Sequence, residues 1–296
     1  MSLPTIFKRP SLLIVGCGDI GLRVARLLRG RWRVLALTSS PRRALTLRDA
    51  GVLPLVGNLD NASSLKRLAG LADAVLHLAP PPLMGRTDPR TANLLRDLAQ
   101  GSRVQRIVYG STTGVYGDCG GALFDETRAV SPTTDRAQRR VDAETQLRQF
   151  GLVMGVRVTL LRIPGIYASD RDGGHPRERL KRGSPVLNAE DDVFTNHIHA
   201  DDLARACVAA LVRGLPQRVV HVCDDTDLKM ADYFDLAADL EGVARPRRIS
   251  REEAAQELSP MLMSFMSESR RLTNARLKTE LKVKLRYPTV HTGLLA

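Results

Sequence analysis

Short aliphatic runs alternate with amphipathic stretches along the first two thirds of the chain. Leu12–Val15, Val34–Leu37, Leu53–Val56, Ala74–Leu78, Arg106–Tyr109 and Val158–Arg162 have the length and density of buried parallel strands. Between them Ile20–Leu28, Pro41–Ala50, Ala62–Leu68, Pro89–Gln100 and Asp135–Phe150 predict helices. Gly30, Gly51, Gly70 and Gly101 follow four of these, where a helix C-terminus calls for positive φ. Such alternation predicts a doubly wound α/β sheet. No internal repeat or low-complexity linker interrupts it.

After Arg162 the rhythm changes. Residues 164–198 are rich in Gly, Pro and charge, then Asp201–Leu211 predicts a helix with Asp201 or Asp202 near its N-cap. Val219–Cys223 predicts a last strand, and the tail from Met230 reads as mostly helical. The expected organisation is a sheet domain over 1–165, completed by about 215–224, and a smaller lobe over 166–214 and 225–296. Because the chain returns to the sheet, no clean cut between the two is expected.

At 296 residues and 43% hydrophobic, the chain can bury a large core. Its net charge of +12 raises nucleic acid as a partner, but the basic residues are scattered through every segment. Aromatic content of 4% leaves no obvious platform for stacking bases. Nucleic acid is therefore not an expected partner, and the positive surface suits phosphorylated small molecules equally well. Cys17, Cys119, Cys207 and Cys223 show neither zinc-site spacing nor a disulfide framework, which fits a reducing cytoplasm. The opening MSLPTIFKRPSLLIVG does not read as a signal peptide, and no apolar run is long enough to span a membrane.

Gly16-Cys17-Gly18-Asp19-Ile20-Gly21 closes the first predicted strand and opens the first helix. In a dinucleotide site the first glycine makes the turn, the second admits the pyrophosphate, and the third lets helix and strand pack. Helix N-terminal amides then face the phosphates. An NAD site usually carries Asp or Glu at the end of the second strand. Here Thr38-Ser39-Ser40-Pro41-Arg42-Arg43 stands there, with no acid until Asp49. Hydroxyls followed by two guanidinium groups suit a 2′-phosphate, so NADP(H) is expected in preference to NAD(H).

These residues, taken with others in order, resemble the extended or atypical branch of the short-chain dehydrogenase/reductase superfamily, which includes nucleotide-sugar epimerases and dehydratases. The others are Gly57 to Asp60, Asp73 to Ala79, Tyr109 to Gly117, Leu161 to Tyr167 and His197 to Ala204. The tail, with Ser267 to Arg271 and Arg286 to Pro288, resembles a bacterial subgroup labelled nucleoside-diphosphate-sugar epimerase-like. The resemblance implies a Rossmann-type sheet with a C-terminal substrate lobe, a small-molecule substrate such as a nucleotide sugar, and homodimers as in many such families. It implies that Asp60 contacts the adenine, that Leu78, Ala79 and Pro80 line the cofactor's path, and that Pro164 to Tyr167 border nicotinamide and substrate. Thr112 matches the hydroxyl that bonds the reacting substrate oxygen. Read from the residues alone, Thr112 is equally a cap on a strand-end turn, with Ser111 and Thr113 as alternatives.

One element of the resemblance is missing. The family's Tyr-x-x-x-Lys falls at Arg136 and Arg140, placed by Glu144 four residues on. Arg140 retains donors for a ribose, but Arg136 stays protonated and cannot act as a general base. No tyrosine in the chain has a lysine four residues later. Three explanations stay open: a relocated acid/base, substrate-assisted or water-mediated proton transfer, and loss of turnover in an NADP(H)-binding sensor or interaction protein. Tyr116, close to Thr112 in sequence, leads the first, ahead of Tyr167, His77 and His199. No metal is expected, because His197 and His199 lack a nearby third ligand, and no G-x-S-x-G elbow occurs. Asp170, Asp172, His175, Arg177 and Arg179 form a polar loop, read first as solvent-exposed and second as a substrate contact.

Overall fold

A computed structural model of the chain describes residues 9–101 and 103–296. Residues 1–8, part of the opening segment discussed above, lie outside the described residues. The strands are β1 Ser11–Val15, β2 Arg33–Thr38, β3 Leu53–Val56, β4 Ala74–His77, β5 Arg106–Thr112, β6 Arg157–Ile163 and β7 Arg218–His221. They form one sheet in the order β7-β6-β5-β4-β1-β2-β3. The β1–β2, β1–β4, β2–β3 and β4–β5 pairs are parallel, with Leu13 opposite both Leu35 and Val75. This is the doubly wound Rossmann-type sheet expected from the alternation. Strands covered on both faces must be aliphatic throughout, and Leu12, Leu13, Ile14, Val75 and Leu76 are fully buried.

Helices α1 Asp19–Leu28, α2 Arg43–Asp49, α3 Pro89–Leu98 and α4 Asp135–Met154 connect the strands. Helix α1 buries Ile20, Val24, Ala25 and Leu28 and holds its one buried cation, Arg23, against Asp19 at 3.0 Å. Asp88 caps α3 by accepting from the amides of Arg90 and Thr91, with Pro89 in the first turn.

Some local expectations are corrected. Ala62–Leu68 is a 3-10 helix, entered through Asn61, whose side chain accepts from the Ser63 amide. Gly30, Gly51 and Gly70 have positive φ, whereas Gly101 does not. Gly101 is required by space instead: a β-carbon there would stand 2.3 Å from the Gly70 nitrogen. The last sheet strand ends at His221, two residues early.

The chain divides into two compact units. The first holds the described residues up to Ser111, with Arg139–Leu160 and Cys207–Arg218; the second holds Thr112–Gln138, Leu161–Ala206 and Val219–Ala296. In the second, α5 is Arg177–Lys181 and α7 is Met230–Glu241, while α6, Ala200–Arg213, begins there and passes to the first unit at Cys207. One core gathers Tyr167, Val186, Tyr233, Phe234, Ala237 and Val290. The rest of the tail is helical only in short pieces, joined by two-residue strands such as Arg271–Leu272, which pairs with Leu123–Phe124.

At the start of α6 the Asp201 amide donates to His199 Nδ1. Asp202, fully buried, turns to the tail instead, accepting from the amides of Arg286 and Tyr287 at 2.8–2.9 Å. Among the described residues no helix is long and apolar enough to cross a membrane, and no His/Cys/Asp/Glu group could hold a metal ion. All four cysteines are buried and free.

Candidate cofactor and substrate sites

The glycine turn of the first unit follows from three different demands. Gly16 has φ +87°, and a β-carbon on it would stand 2.4 Å from the Ala79 nitrogen. The turn and the end of β4 approach that closely because the amides of Leu78 and Ala79 both donate to Val15 O, at 2.7 and 2.9 Å. A β-carbon on Gly18 would meet nothing within 4 Å, so open space lies in front of the turn. A β-carbon on Gly21 would come within 3.1 Å of Cys17 Sγ and 3.2 Å of an Ile14 methyl, which fixes the packing of α1 on β1. Asp19 and Ile20, between these last two glycines, form the first turn of α1.

A cavity of about 320 Å³ opens beside the turn. Gly16, Ser39, Arg43, Asp60, Ala79 and Pro80 all border it, brought together from the ends of four strands. Gly18, Asp19, Ile20, Gly21 and Leu78 do not line it, although Leu78 helps to set its wall through Val15. Arg42 does not line it either; it is the exposed residue that precedes α2. Of the arginine pair only Arg43 reaches the cavity, and it also donates to Cys17 O at 2.8 Å.

Arg90 is a lining residue that the sequence reading missed. It forks onto Asp60 with two bonds of 2.7 Å and donates to Pro80 O at 3.2 Å. The Arg90 bond holds the Asp60 carboxyl below the usual carboxylate range. The available signal was the Asp88-Pro89 helix start, which places Arg90 in the first turn of α3.

The end of β5 is occupied by Arg140. Its NH1 donates to the Tyr109 hydroxyl and to Gly110 O, both at 2.9 Å. Tyr109 is fully buried, and burial pushes its phenol up to about 12. Ser111 donates to Glu144 at 2.5 Å, both buried, so Ser111 is committed to the fold. His77 sits against the Tyr109 ring, and burial, then the Arg140 charge, pull it down to about 3. Its Nε2 meets Thr91 Oγ1 at 3.0 Å while that hydroxyl donates to Asp88, so Nε2 carries the proton of a neutral imidazole.

In the second unit Thr112, Thr113, Arg136 and Pro164 line a cavity of about 540 Å³. Thr112 has both roles open to it from sequence: its Oγ1 caps the 3-10 turn Thr113–Tyr116 by accepting from the Gly114 amide, and it borders the cavity. The Arg136 guanidinium lies 4.6 Å from the Phe265 ring centroid, and Phe265 is another lining residue.

Tyr116 is not brought to this cavity. It is 1% exposed, its hydroxyl lies 2.6 Å from His221 Nε2, and Arg162 covers its ring at 4.7 Å. His221 Nδ1 faces Thr273 O at 3.0 Å and must donate, so Nε2 accepts and the Tyr116 proton is already committed. The phenol's direction into the core corrects the expectation that nearness to Thr112 in sequence would carry it to the site.

Tyr167 borders a second, wider opening of about 900 Å³, but its hydroxyl sits 3.4 Å from Asp224 and 3.3 Å from Thr289 O. Burial and then Asp224 raise its pKa. His199 is buried against Tyr287 and Tyr167. The residue missed here is His197, which lines both openings and stacks on Tyr233 at 4.2 Å. Burial pulls it down to about 4, leaving a neutral imidazole whose Nδ1 has no hydrogen-bond partner. Asp170, Asp172, His175, Arg177 and Arg179 line the wider opening; Asp170, Asp172 and Arg177 are exposed, as first read, while His175 is buried and Arg179 half-buried.

A family profile described as NAD(P)H-binding matches residues 16–213. Protein YeeZ of Escherichia coli K12 is 25% identical over 246 residues, covering 79% of this chain and 85% of that protein. A conserved protein of unknown function from Silicibacter pomeroyi DSS has a structure similar to this one, with TM-score 0.82, 31% identity and 97% of each chain covered. UDP-glucose 4-epimerase from Thermotoga maritima, solved with UDP-glucose, matches with TM-score 0.79 and 18% identity over 96% of each chain. The dTDP-glucose 4,6-dehydratase DesIV of Streptomyces venezuelae, solved with NAD, matches with TM-score 0.76 and 20% identity over 96% of this chain and 95% of its own. At these last two identities the likeness is one of fold.

Proposed function

The chain belongs to the NAD(P)H-binding family, and from that premise we propose that it is an NADP(H)-dependent oxidoreductase or epimerase of the extended short-chain dehydrogenase/reductase superfamily. Its substrate on this reading is a nucleotide sugar or a similar hydroxyl or carbonyl compound. The observation that carries the reading is the glycine turn: Gly16 is pressed against Ala79 by the fold, yet Gly18 faces open space. Among the described residues no atom bars a side chain at Gly18, and a pyrophosphate laid against the turn would give a reason for glycine there. Bound there, a nicotinamide dinucleotide gives or takes hydride. Ser39 and Arg43 border the cavity where a 2′-phosphate would need donors, and β2 ends without an acid to favour a free ribose.

For the substrate, Thr112 offers a hydroxyl to a reacting oxygen, and Arg136 offers permanent positive charge to the same cavity. Arg136 stabilises negative charge on that oxygen but takes no proton. The proton is then exchanged with water, with the substrate itself, or with His197, the neutral imidazole on the cavity wall. Arg140, with NH1 held by Tyr109 and Gly110, is assigned to the ribose only through its other donors.

The second reading, a non-catalytic NADP(H)-binding sensor or interaction protein, is favoured by one observation. The phenol four residues after Thr112, Tyr116, is locked on His221.

Titration with NADPH and NADH, followed by nicotinamide fluorescence, tests the cofactor reading; equal affinity for the two would sink the NADP(H) preference. Turnover separates the two functions. Oxidation or reduction of bound cofactor by any sugar nucleotide, lost in Thr112→Ala, supports the enzyme. A cofactor that no such compound can alter supports the sensor.

A further inference from the structure

In the second unit several arginines in or near the cavities are paired with carboxylates; among the described lining residues Arg179, half-buried, and Arg182, exposed, are not. Arg177 forks onto Glu241 at 2.6 and 2.7 Å, Arg248 reaches Asp235 at 2.6 Å, and Arg270 holds Glu268 at 2.5 Å. Among the described residues Glu268 is the sole carboxylate lining the 540 Å³ cavity, against the arginines 136, 171, 179 and 270, and it also accepts from Thr133. Among the described residues Arg179 has no carboxylate within ion-pair distance. Its NH2 donates to Pro185 O at 3.0 Å, its guanidinium lies 4.2 Å from the Phe234 ring centroid, and its Nε is buried with no hydrogen-bond partner.

Arg179 belongs to the wall shared by the 540 Å³ cavity and the wider opening. The acids of that opening, Asp170, Asp172 and Glu178, leave it unpaired, and its neighbour His197 is neutral. Burial, and then repulsion from Arg182, pull Arg179 down to about 10. A guanidinium drawn out of water without a counter-charge is costly, and proteins ordinarily supply the carboxylate. Here the fold supplies it to Arg177, Arg248 and Arg270 and leaves Arg179 facing the cavity, stacked on an aromatic ring that keeps it in place.

We propose that Arg179 is the anchor for an anionic group, phosphate or carboxylate, carried by the organic ligand of this cavity, with Phe234 and Tyr233 bordering the rest of that ligand. The inference rests on the reading of the cavity as the substrate site and narrows the substrate to organic anions. Arg179 is a binding residue here and takes no part in proton transfer.

Titration calorimetry on the full chain with NADPH present, using glucose 1-phosphate, glucuronate and glucose, tests it. A charged probe binds on the order of tenfold or more tightly than glucose, as a charge-assisted bond to a partly buried guanidinium should give. Arg179→Gln brings charged and neutral probes to within about twofold of one another, and Arg179→Lys keeps part of the preference. Whether the phosphate or the carboxylate is preferred identifies the natural anion.

No charged-probe preference in the unmodified chain, or a preference that survives Arg179→Gln, overturns the proposal. Should Arg179→Gln fail to fold, Arg179→Lys carries the test through the ratio of the two charged probes, which a point charge and a planar fork set differently. NADPH titrations run in parallel keep the two readings apart. Failure to bind NADPH sinks the oxidoreductase reading and leaves the charge preference to be judged alone. Intact NADPH binding without the charge preference sinks only the role of Arg179.

Discussion

Gly16 combines a backbone angle that side chains rarely adopt with a neighbour too close for any β-carbon. Both costs fall on a Gly16→Ala chain, about 1–2 kcal/mol for the left-handed backbone and a similar amount or more for the clash with Ala79. Urea unfolding should therefore show a loss of about 2–4 kcal/mol, and a loss well under 1 would mean that the turn moves away from β4 at little cost. Arg43 carries a different expectation. Arg43→Ala should weaken NADPH on the order of tenfold or more while changing NADH by only a few-fold, because the charge matters chiefly for a 2′-phosphate. A parallel loss for both dinucleotides would assign Arg43 to bracing Cys17 O instead. The glycine and arginine positions were legible because turn chemistry is written in neighbouring residues. Arg90 and Asp60 were not, since they stand 30 residues apart and only the pairing of β1 with β4 and the entry of α3 bring them together. Nor could spacing show that the Tyr116 hydroxyl turns toward His221, 105 residues on.

Helix α3 shows how a local signal can carry a long-range load. Asp88 accepts from the Arg90 and Thr91 amides and from the Thr91 hydroxyl, and its own amide donates to Asp142 on α4. An exposed cap is worth about 1 kcal/mol, and Asp88 is 1% exposed, so Asp88→Ala should cost about 2 kcal/mol or more by thermal or chemical unfolding. Asp88→Asn should recover part of that loss; equal losses for the two would point to the charge and not the cap. Strands were legible as elements, with β1, β2, β4 and β6 within a residue or so of their aliphatic runs. The 3-10 helix at 62–68 was not, because its apolar positions fit a helical period and only the hydrogen bonds distinguish the tighter turn. The loop after Tyr167 was legible in part, with Asp170, Asp172 and Arg177 exposed and His175 buried. Its polar residues look solvated in sequence, and their arrangement around an opening depends on packing between α5 and α7.

Across the whole chain, buried titrating groups set how stability follows pH. Burial pulls His77, His197 and His221 down to between about 3 and 4 in the folded state, from an ordinary 6.5. As pH falls through that interval the unfolded chain takes up protons that the folded one refuses, so stability is lost. Asp224 works in the opposite sense: burial lifts it to about 7, so between about 4 and 7 the folded chain holds a proton that the unfolded one releases. Burial also raises Glu126 and Asp192 and lowers His175, and the large shifts of the three histidines outweigh the carboxyls. The melting temperature should fall from pH 7 toward pH 5, and Asp224→Asn should be relatively more favourable at pH 8 than at pH 5. A melting temperature that rises on acidification would show that the histidines are less enclosed than their burial implies. The division into two units was legible as a change of rhythm after Arg162, though not the way segments interleave between them. Asp202 adds a matter of timing to this architecture. Its carboxylate is buried on α6, yet the amides that satisfy it belong to residues made 84 and 85 positions later. Until those arrive, the carboxylate has only the Arg205 guanidinium, 2.8 Å away one turn on, so closing the second unit early would bury it short of two amide donors. A message that stopped short of Arg286 would therefore leave a buried carboxylate under-bonded, and the shortened chain should unfold more readily than the whole one.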